Sequence, residues 1–334
     1  MIGKKLNLAL IGAGGMGKRW ARVVSQSRNT ALVAIVDKDL AKAETLAKQI
    51  PNCRPFARWQ KVVTDQSVSA LIVATPHQFL APISLAALKK GKHVLCEKPG
   101  GVNSKQIKQA TDLARRQHLS YMVGFNHRYH PAFLKARQLF NKGAIGDLIF
   151  IRARYGFGGR SGYEKEWRLD KKLSGGGELM DQGVHMIDLA LSFMGPVKDV
   201  RGFAQNTFWK SNADDNALVL LRNKKQQTAS IHVSLTQWKP LHNFEIYGTK
   251  GYLSIEGLGR RYGGTEKLTL GLRDKDFSHD SRERTFICDP EADNSLIKEL
   301  KEFIAAIKQG RPPVPGGKDA LETIKIVETI YGQS

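Results

Sequence analysis

Short apolar runs alternate with amphipathic stretches along the first third of the chain. The apolar runs cover residues 6–11, 32–36, 70–74, 93–96 and 120–123, and the amphipathic stretches cover 16–25, 40–49, 79–90 and 104–117. Each amphipathic stretch places apolar residues three and four positions apart, as a helix with one buried face does. Strands that are apolar at nearly every position are typical of a parallel sheet covered by helices on both faces. The sequence therefore predicts a doubly wound α/β domain over residues 1–125.

The pattern changes after residue 125. Helices are predicted over 131–140 and 180–193, a strand over 148–154, and a glycine- and aromatic-rich loop over 156–177. Successive strands follow over 199–208, 217–222, 227–235, 243–247, 252–256 and 267–272, with turn signals between some of them, before helices return at 295–308 and 318–330. Residues 126–334 are therefore predicted to form an α+β domain on a large, mostly antiparallel open sheet. In an alternative arrangement, its C-terminal helices pack back on the first domain.

The composition is that of an ordinary globular protein. Of 334 residues, 41% are hydrophobic and 25% charged, which excludes wholesale disorder and a collagen-like chain. No apolar run approaches the roughly 20 residues that cross a bilayer, so no membrane partner is expected. The short run 6–11 reads as a strand rather than a signal peptide. Three cysteines, Cys53, Cys96 and Cys288, lack metal or redox spacing, and this predicts a reducing cytoplasm.

The net charge of +21 is concentrated in the first part of the chain. Residues 1–125 hold 20 lysines and arginines against 6 aspartates and glutamates. Such an excess favours anionic partners: nucleic acid, an acidic membrane surface or a phosphorylated small molecule. The basic residues are scattered in ones and twos, however, without a basic tail, helix-turn-helix spacing or zinc finger. We therefore expect no nucleic-acid partner and read most of the charge as solvated surface.

A glycine-rich motif follows the first predicted strand and opens the first predicted helix. It runs Gly12-Ala13-Gly14-Gly15-Met16-Gly17, and Asp37 closes the second strand 20 residues later. In this context the motif predicts a dinucleotide site. Gly12 permits the tight turn, Gly14 lets the backbone approach a pyrophosphate at the helix N-terminus, and Gly17 allows close helix–strand packing. A glycine turn without a ligand is the alternative. The predicted cofactor contacts in the turn are Gly12, Gly14, Gly15, Met16 and Gly17.

The residue at the end of the second strand bears on which dinucleotide binds. The Asp37 carboxylate can accept hydrogen bonds from ribose hydroxyls and would repel a 2′-phosphate, which favours NAD. Its neighbour Lys38 would attract that phosphate, so NADP stays possible. We count both residues among the cofactor contacts.

Two further motifs carry titratable groups. Cys96-Glu97-Lys98-Pro99 ends the fifth strand, and the carboxyl ends of parallel strands are where such sheets bind ligands. Lys98 therefore points to the predicted crevice, with a surface lysine before a turn as the alternative. Asp181 and His185 are four apart on a predicted helix and share a face. The imidazole can act as a general acid or base oriented by the carboxylate. A metal-binding pair, or a capping aspartate beside a core histidine, are the other interpretations.

Together these motifs resemble the Gfo/Idh/MocA oxidoreductase family. The resemblance covers roughly residues 5–331 and is carried by Gly12-x-Gly14-x-x-Gly17, Ala74-Thr75-Pro76-His77, Glu97-Lys98-Pro99, Gly124-Phe125-Asn126-His127-Arg128-Tyr129-His130-Pro131 and Asp181-x-x-x-His185. It implies a Rossmann domain, an α/β domain with an open sheet, and reversible oxidation of a sugar or cyclitol hydroxyl. It also implies a homo-dimer or homo-tetramer and a catalytic group of Lys98, Asp181 and His185 without a metal. Residues 175–188, Trp238-Lys239 and 244–248 look like members from bacterial surface-polysaccharide gene clusters.

With the resemblance in place, the expected contacts extend along the chain. Further cofactor contacts are expected at Thr75, Pro76, His77, Glu97, Lys98 and Asn126. Substrate contacts are expected at Lys98, Arg128, Arg154, Tyr155, Trp167, Asp181 and His185. In the implied mechanism, His185 takes the hydroxyl proton and the Lys98 ammonium stabilises the developing alkoxide. Asp181 orients or charges the imidazole.

The substrate itself is less sharply indicated. Residues 152–172 interleave cations with aromatic side chains, a combination that suits a nucleotide-linked sugar. A solvated loop or a subunit contact would have the same composition. A free sugar or inositol is the alternative substrate class. A binding module that senses NAD without turnover is a different class of function, and intact Lys98, Asp181 and His185 argue against it.

Overall fold

A computed structural model describes residues 5–274, 276, 282–288 and 293–334, and the chain divides into two units. The first unit joins the chain up to Phe125 with Leu296–Leu321. The second consists of Asn126–Ser295 and Glu322–Ser334. Within the described residues, no helix has both the length and the apolar character needed to span a membrane.

The first unit is built on a six-stranded parallel sheet. Its strands are β1 (Leu6–Ile11), β2 (Thr30–Val36), β3 (Arg54–Phe56), β4 (Ala70–Val73), β5 (His93–Glu97) and β6 (Tyr121–Gly124), in the spatial order β3-β2-β1-β4-β5-β6. The helices between them are α1 (Gly15–Gln26), α2 (Leu40–Ala47), α3 (Trp59–Val63), α4 (His77–Lys89) and α5 (Ser104–Arg116). This order is that of a doubly wound dinucleotide-binding sheet. The predicted fold class of this half is confirmed.

The burial of its strands explains why the sequence predicts the fold of the first unit. The interior positions of the central strands, including Leu8, Leu10, Leu71 and Ile72, are almost completely buried. Neither face of these strands meets water, so the apolar runs are continuous. Two elements of this unit, β3 and α3, were not predicted. They span three and five residues, too few to show a period.

The second unit is built on an eight-stranded sheet in the order β14-β13-β12-β11-β7-β10-β9-β8. Its strands are β7 (Leu148–Gly156), β8 (Val197–Gln205), β9 (Asn216–Asn223), β10 (Thr228–Ser234), β11 (Leu241–Gly248), β12 (Gly251–Leu258), β13 (Tyr262–Leu272) and β14 (Arg282–Ile287). Its helices are α6 (Pro131–Asn141), α7 (Lys171–Ser174) and α8 (Val184–Met194). Among the described strands of this sheet, β7 and β10 pair in parallel and every other neighbouring pair is antiparallel. The predicted mostly antiparallel sheet is confirmed. Near the C-terminus, α9 (Ser295–Gln309) and α10 (Gly317–Tyr331) follow.

The two faces of this second sheet differ. On β7, Ile151, Ala153 and Tyr155 are buried on the side where α6 and α8 pack, which we call the helix-covered face. The opposite side, the open face, carries Arg152 and Arg154 on β7 and exposed apolar side chains on β8 and β9, namely Phe203, Leu218 and Leu220. Successive residues of a strand point to opposite faces, so β7 contributes to both.

The predicted helix over 180–193 differs in its first turn. Residues Leu179–Gly183 are π-helical, and only from Val184 does the chain become the α-helix α8. A π-turn closes hydrogen bonds five residues apart and is a common feature of functional sites.

Candidate functional site

Two glycines of the first turn are required by close backbone contacts. Gly12 has a φ of 104°, a left-handed conformation that favours glycine, and a Cβ built there would lie 2.4 Å from the carbonyl oxygen of Ala74. A Cβ built on Gly17 would lie 1.9 Å from the carbonyl oxygen of Gly12. Gly12 therefore makes the turn beside β4, and Gly17 lets α1 pack against that turn.

The other two glycines face open space. A Cβ built on Gly14 or Gly15 meets no heavy atom within 4 Å. Gly14 is the N-cap of α1, offers no side-chain cap, and no acidic residue lies in the first helical turn. The first N–H groups of a helix have no partner within it, and they carry the positive end of the dipole. The turn therefore fits a pyrophosphate, which Gly14, Gly15 and Met16 would hold through their backbone.

Asp37 is fixed beside this turn. Its Oδ2 accepts a hydrogen bond from the Ala13 N–H at 2.8 Å, and its Oδ1 accepts one from the Asp39 N–H at 3.0 Å. Asp37 and the glycine turn line one cleft of about 820 Å³ between α1 and α2, together with Lys18 and Arg22. The next residue, Lys38, is exposed. The carboxylate is thus held at the strand end where a ribose would bind.

The ends of β4 and β5 supply the remaining predicted residues of this unit. Thr75 follows β4, Pro76 caps α4, and His77 is buried in the first turn of that helix. Glu97 ends β5, and its Oε1 accepts a hydrogen bond from the indole N–H of Trp20 on α1 at 2.7 Å.

Burial raises the pKa of Glu97. Lys98 follows directly. The carboxyl ends of parallel strands meet at one edge of a sheet, so the glycine turn, Asp37, Thr75 and Lys98 share that edge.

In the second unit, a glycine run fixes the start of the π-helical turn. The Asp214 carboxylate accepts hydrogen bonds from the N–H groups of Gly177 and Leu179, each at 2.8 Å, and from the Tyr331 hydroxyl at 2.8 Å. Burial raises the pKa of Asp214, and these three donors oppose that effect. A Cβ on Gly176 would collide with the Tyr331 ring, and one on Gly177 with the Asp214 backbone. The glycines therefore allow the close packing that anchors the turn carrying Asp181.

Asp181 and His185 are both almost fully buried, and their side chains contact different residues. The Asp181 carboxylate accepts a hydrogen bond from Nε of Arg168 at 3.1 Å. The His185 ring stacks on the His127 ring, with centroids 3.7 Å apart and planes 11° from parallel. A guanidinium against the carboxylate disfavours a divalent cation there. Among the described residues, moreover, no group of three or more His, Cys, Asp or Glu side chains is placed to hold a metal ion.

Arg168 connects the loop over residues 156–177 to Asp181. Its guanidinium lies over the Trp167 ring, 4.8 Å from the centroid, and approaches Glu166 at 3.4 Å. Arg160 pairs with the same Glu166 carboxylate. Two of the loop's cations are therefore partly neutralised by carboxylates.

The Tyr155 ring contacts the His127 ring, whereas Arg154 lies on the other face of the sheet. The Tyr155 ring on the helix-covered face lies 5.5 Å from His127 and 4.8 Å from Tyr262. Burial raises the pKa of Tyr155 well above its usual range, so its hydroxyl is neutral. Arg154 precedes it on β7 and is exposed on the open face. Arg154 and Tyr155 therefore lie on opposite faces of β7, because neighbouring strand residues face opposite ways. The substrate contacts expected at these two residues stay predictions.

Arg128 and Asn126 have partners of their own. Arg128 forms a two-pronged pair with Asp188, with contacts of 2.7 and 2.6 Å, and the Asp188 side chain is 1% exposed. This pair favours a structural role for Arg128 over the predicted substrate contact. The Asn126 amide donates to the Ser295 hydroxyl at 3.1 Å. Their assignments as substrate and cofactor contacts stay predictions.

The sequence reasoning missed Trp20, His127, Arg168 and Asp214. His127 belongs to a motif, and Arg168 to a loop, that the sequence analysis singled out, but nothing in their spacing indicates which residues they contact. Trp20 and Asp214 are 77 and 37 residues from their partners Glu97 and Gly177. Local patterns carry no signal for such pairs.

Comparisons with known proteins agree with this organisation. A model of the oxidoreductase family with an NAD-binding Rossmann fold matches residues 6–125, and a model of the GFO/IDH/MocA C-terminal domain matches residues 133–254. The first match confirms the predicted class of cofactor.

Curated relatives are dehydrogenases. The chain is 28% identical to trans-1,2-dihydrobenzene-1,2-diol dehydrogenase of Mus musculus, covering 80% of this chain and 79% of that protein. It is 30% identical to levoglucosan dehydrogenase of Pseudarthrobacter phenanthrenivorans, covering 58% and 52%. It is 24% identical to myo-inositol 2-dehydrogenase of Thermotoga maritima, covering 94% and 92%.

A solved structure of levoglucosan dehydrogenase in complex with NADH and levoglucosan shares the fold. Its TM-score is 0.88 at 23% identity, covering 99% of this chain and 98% of that one. The strand order, the glycine turn and the two matched domain models lead to one conclusion. The chain belongs to the Gfo/Idh/MocA family of NAD-binding oxidoreductases.

Proposed function

We propose that the protein interconverts a hydroxyl and a carbonyl group on a free sugar or cyclitol, with NAD as the redox partner. The observation that carries the proposal is that Asp181 and His185 are both buried on one helical segment, while Arg168 donates a hydrogen bond to the Asp181 carboxylate. The relatives named for levoglucosan and inositol support this substrate class.

The chain's own residues have separable roles in this reaction. His185 takes the hydroxyl proton, because an imidazole is a competent base near neutral pH. The Lys98 ammonium stabilises the negative charge that develops on the substrate oxygen. When bound, NAD supplies the hydride acceptor, and NADH the donor in the reverse direction.

The Asp181–Arg168 pair suits a polyhydroxylated ring. A carboxylate accepts hydrogen bonds from hydroxyls and a guanidinium donates them, so the pair can bind two neighbouring hydroxyl groups. The half-buried Trp167 ring, which lies under the Arg168 guanidinium, offers an apolar surface next to these polar groups. This combination explains how the site would orient a sugar without any net charge on the substrate.

A nucleotide-linked sugar is the second candidate. Its diphosphate requires cations that carboxylates do not already neutralise. Arg160 and Arg168 are paired with Glu166 and Asp181, which favours the neutral substrate. The exposed Lys165, Lys171 and Lys172 on the same loop favour the nucleotide-linked one. The experiment therefore includes both classes.

The test is to mix purified protein and NAD with free sugars, inositols and nucleotide sugars and follow NADH absorbance. On the best substrate, His185→Ala should lower kcat by roughly 10²–10⁴. Lys98→Ala should lower it by roughly 10²–10³ by analogy with loss of one oxyanion donor. NADH binding should survive His185→Ala, because this change alters neither the glycine turn nor any of the expected cofactor contacts.

His118→Ala and Lys105→Ala, at exposed positions of the first unit, serve as matched controls and should keep full activity. If either site variant retained more than about a tenth of wild-type turnover, with chemistry rate-limiting, that residue's role would be wrong. If no substrate of any class produced NADH while NADH bound tightly, the sensing module would be the better description.

A further inference from the structure

Four buried histidines lie together on the helix-covered face of the second unit. They are His127, His130, His185 and His242, and none is more than 6% exposed. His127 is at the centre, because its ring lies parallel to His185 and edge-on to His130 and His242. The proposed function uses only His185 of these four.

The contact between His127 and His185 is a face-to-face stack. The centroids are 3.7 Å apart, which is van der Waals contact over the whole ring. Rotation about the Cβ–Cγ bond of histidine is broad and only weakly restricted by the side chain itself. A flat partner at this distance restricts that rotation, because any large turn of the His185 ring drives its edge into the His127 ring.

His127 is itself held rigidly. The Tyr155 ring meets it edge-on at 5.5 Å and the His130 ring does so at 5.7 Å. His130 is in turn fixed by the buried Glu266, whose Oε2 lies 2.9 Å from Nδ1 of His130. The other oxygen of Glu266 accepts a hydrogen bond from the Ala132 N–H at 2.8 Å, at the start of α6. The His127 ring is therefore held in place by packed side chains, namely Tyr155 and the Glu266-bound His130.

We infer that His127 is a positioning residue whose ring sets the plane of the His185 imidazole by stacking. The inference rests on the proposed role of His185 as the proton acceptor. An acceptor nitrogen must face the substrate hydroxyl at hydrogen-bonding distance, so a free ring would reach that geometry only part of the time. Misplacing a reacting group by about 1 Å can cost on the order of a hundredfold in rate.

Two substitutions of similar volume separate stacking from space filling. His127→Phe keeps a flat ring and should retain kcat within about threefold, whereas His127→Leu removes the plane and should lower kcat by roughly ten- to a hundredfold. The KM for NAD should stay unchanged in both variants, because the glycine turn lies in the other unit. Phe133→Leu, which loses an aromatic ring elsewhere in the same buried region, is the matched control and should keep wild-type kcat.

Equal kcat values for His127→Phe and His127→Leu would overturn the inference, whether both were high or both low. His185→Ala in the same assay separates this failure from that of the proposed function. If His185→Ala stayed active, the role of His185 would fail. If it were inactive while the two His127 variants were equal, only the positioning role would fail.

A spectroscopic measurement on the wild-type protein covers the case in which the variants do not fold. In histidine-labelled protein, the ring protons of His185, assigned by their loss in His185→Ala, should resonate upfield because they lie over the His127 ring. Ring signals of His185 at ordinary positions would show that the stack is absent in solution and would overturn the inference.

Discussion

The buried His242 makes the stability of the second unit depend on pH. Its ring is completely buried on β11, edge-on to Phe133 and Tyr155, and neither ring nitrogen has a hydrogen-bond partner among the described residues. Burial, with a smaller contribution from the charge of His130, lowers the pKa of His242 to about 3. The folded protein therefore keeps this imidazole neutral over the whole mildly acidic range.

The size of the effect follows from the two pKa values. In the unfolded chain the imidazole has a pKa of about 6.5 and binds a proton below that value. The unfolded state thus holds more protons than the folded state between about pH 6.5 and pH 3. The contribution of His242 to the free energy of unfolding is fully present above the unfolded pKa. It is lost at about 1.4 kcal/mol per pH unit as the pH falls below that value. Between pH 7 and pH 5 the loss from His242 is about 2 kcal/mol.

This figure is insensitive to the folded pKa, provided that the latter lies well below 5. The assay is urea unfolding at pH 7 and pH 5 for the wild type, His242→Phe and the control Phe133→Leu. His242→Phe should lose about 2 kcal/mol less than the wild type on acidification, whereas Phe133→Leu should lose as much as the wild type. Any overpacking by the phenylalanine costs the same at both pH values, so the difference isolates the titration. An identical pH dependence in His242→Phe and the wild type would refute the reasoning.

Two further predictions concern the cofactor and the assembly. Purified protein should bind NAD(H) more tightly than NADP(H), and Asp37→Ala should narrow or reverse that preference because the carboxylate repels a 2′-phosphate; a wild-type preference for NADP(H) of about tenfold or more would contradict this. The exposed Phe203, Leu218 and Leu220 of the open face should be covered by another copy of the chain. Light scattering should then give a multiple of 37.1 kDa, and a mass near 37.1 kDa at micromolar concentration would exclude it.

The sequence by itself indicated the parallel sheet, the mostly antiparallel sheet and the cofactor turn. The apolar runs became β1, β4 and β5 because strands buried on both faces need apolar residues at nearly every position. The glycine turn could be predicted because its steric constraints act between residues that are close in the chain. Gly17, for instance, must leave room for the carbonyl oxygen of Gly12.

Strand alternation separates two of the predicted substrate contacts. Arg154 and Tyr155 are consecutive on a strand, so alternation alone places them on opposite faces. The substrate contact expected at Arg154 stays a prediction.

Only the tertiary structure decided what surrounds the proposed catalytic side chains. Arg168 reaches Asp181 from a separate loop, His127 reaches His185 from the turn after β6, and Trp20 reaches Glu97 from α1. The spacing Asp-x-x-x-His gave no indication of these partners or of the π-helical turn that carries Asp181. Contacts of this kind depend on how whole elements pack. Periodicity reports only which face of each element is buried, and not which residue of another element it meets.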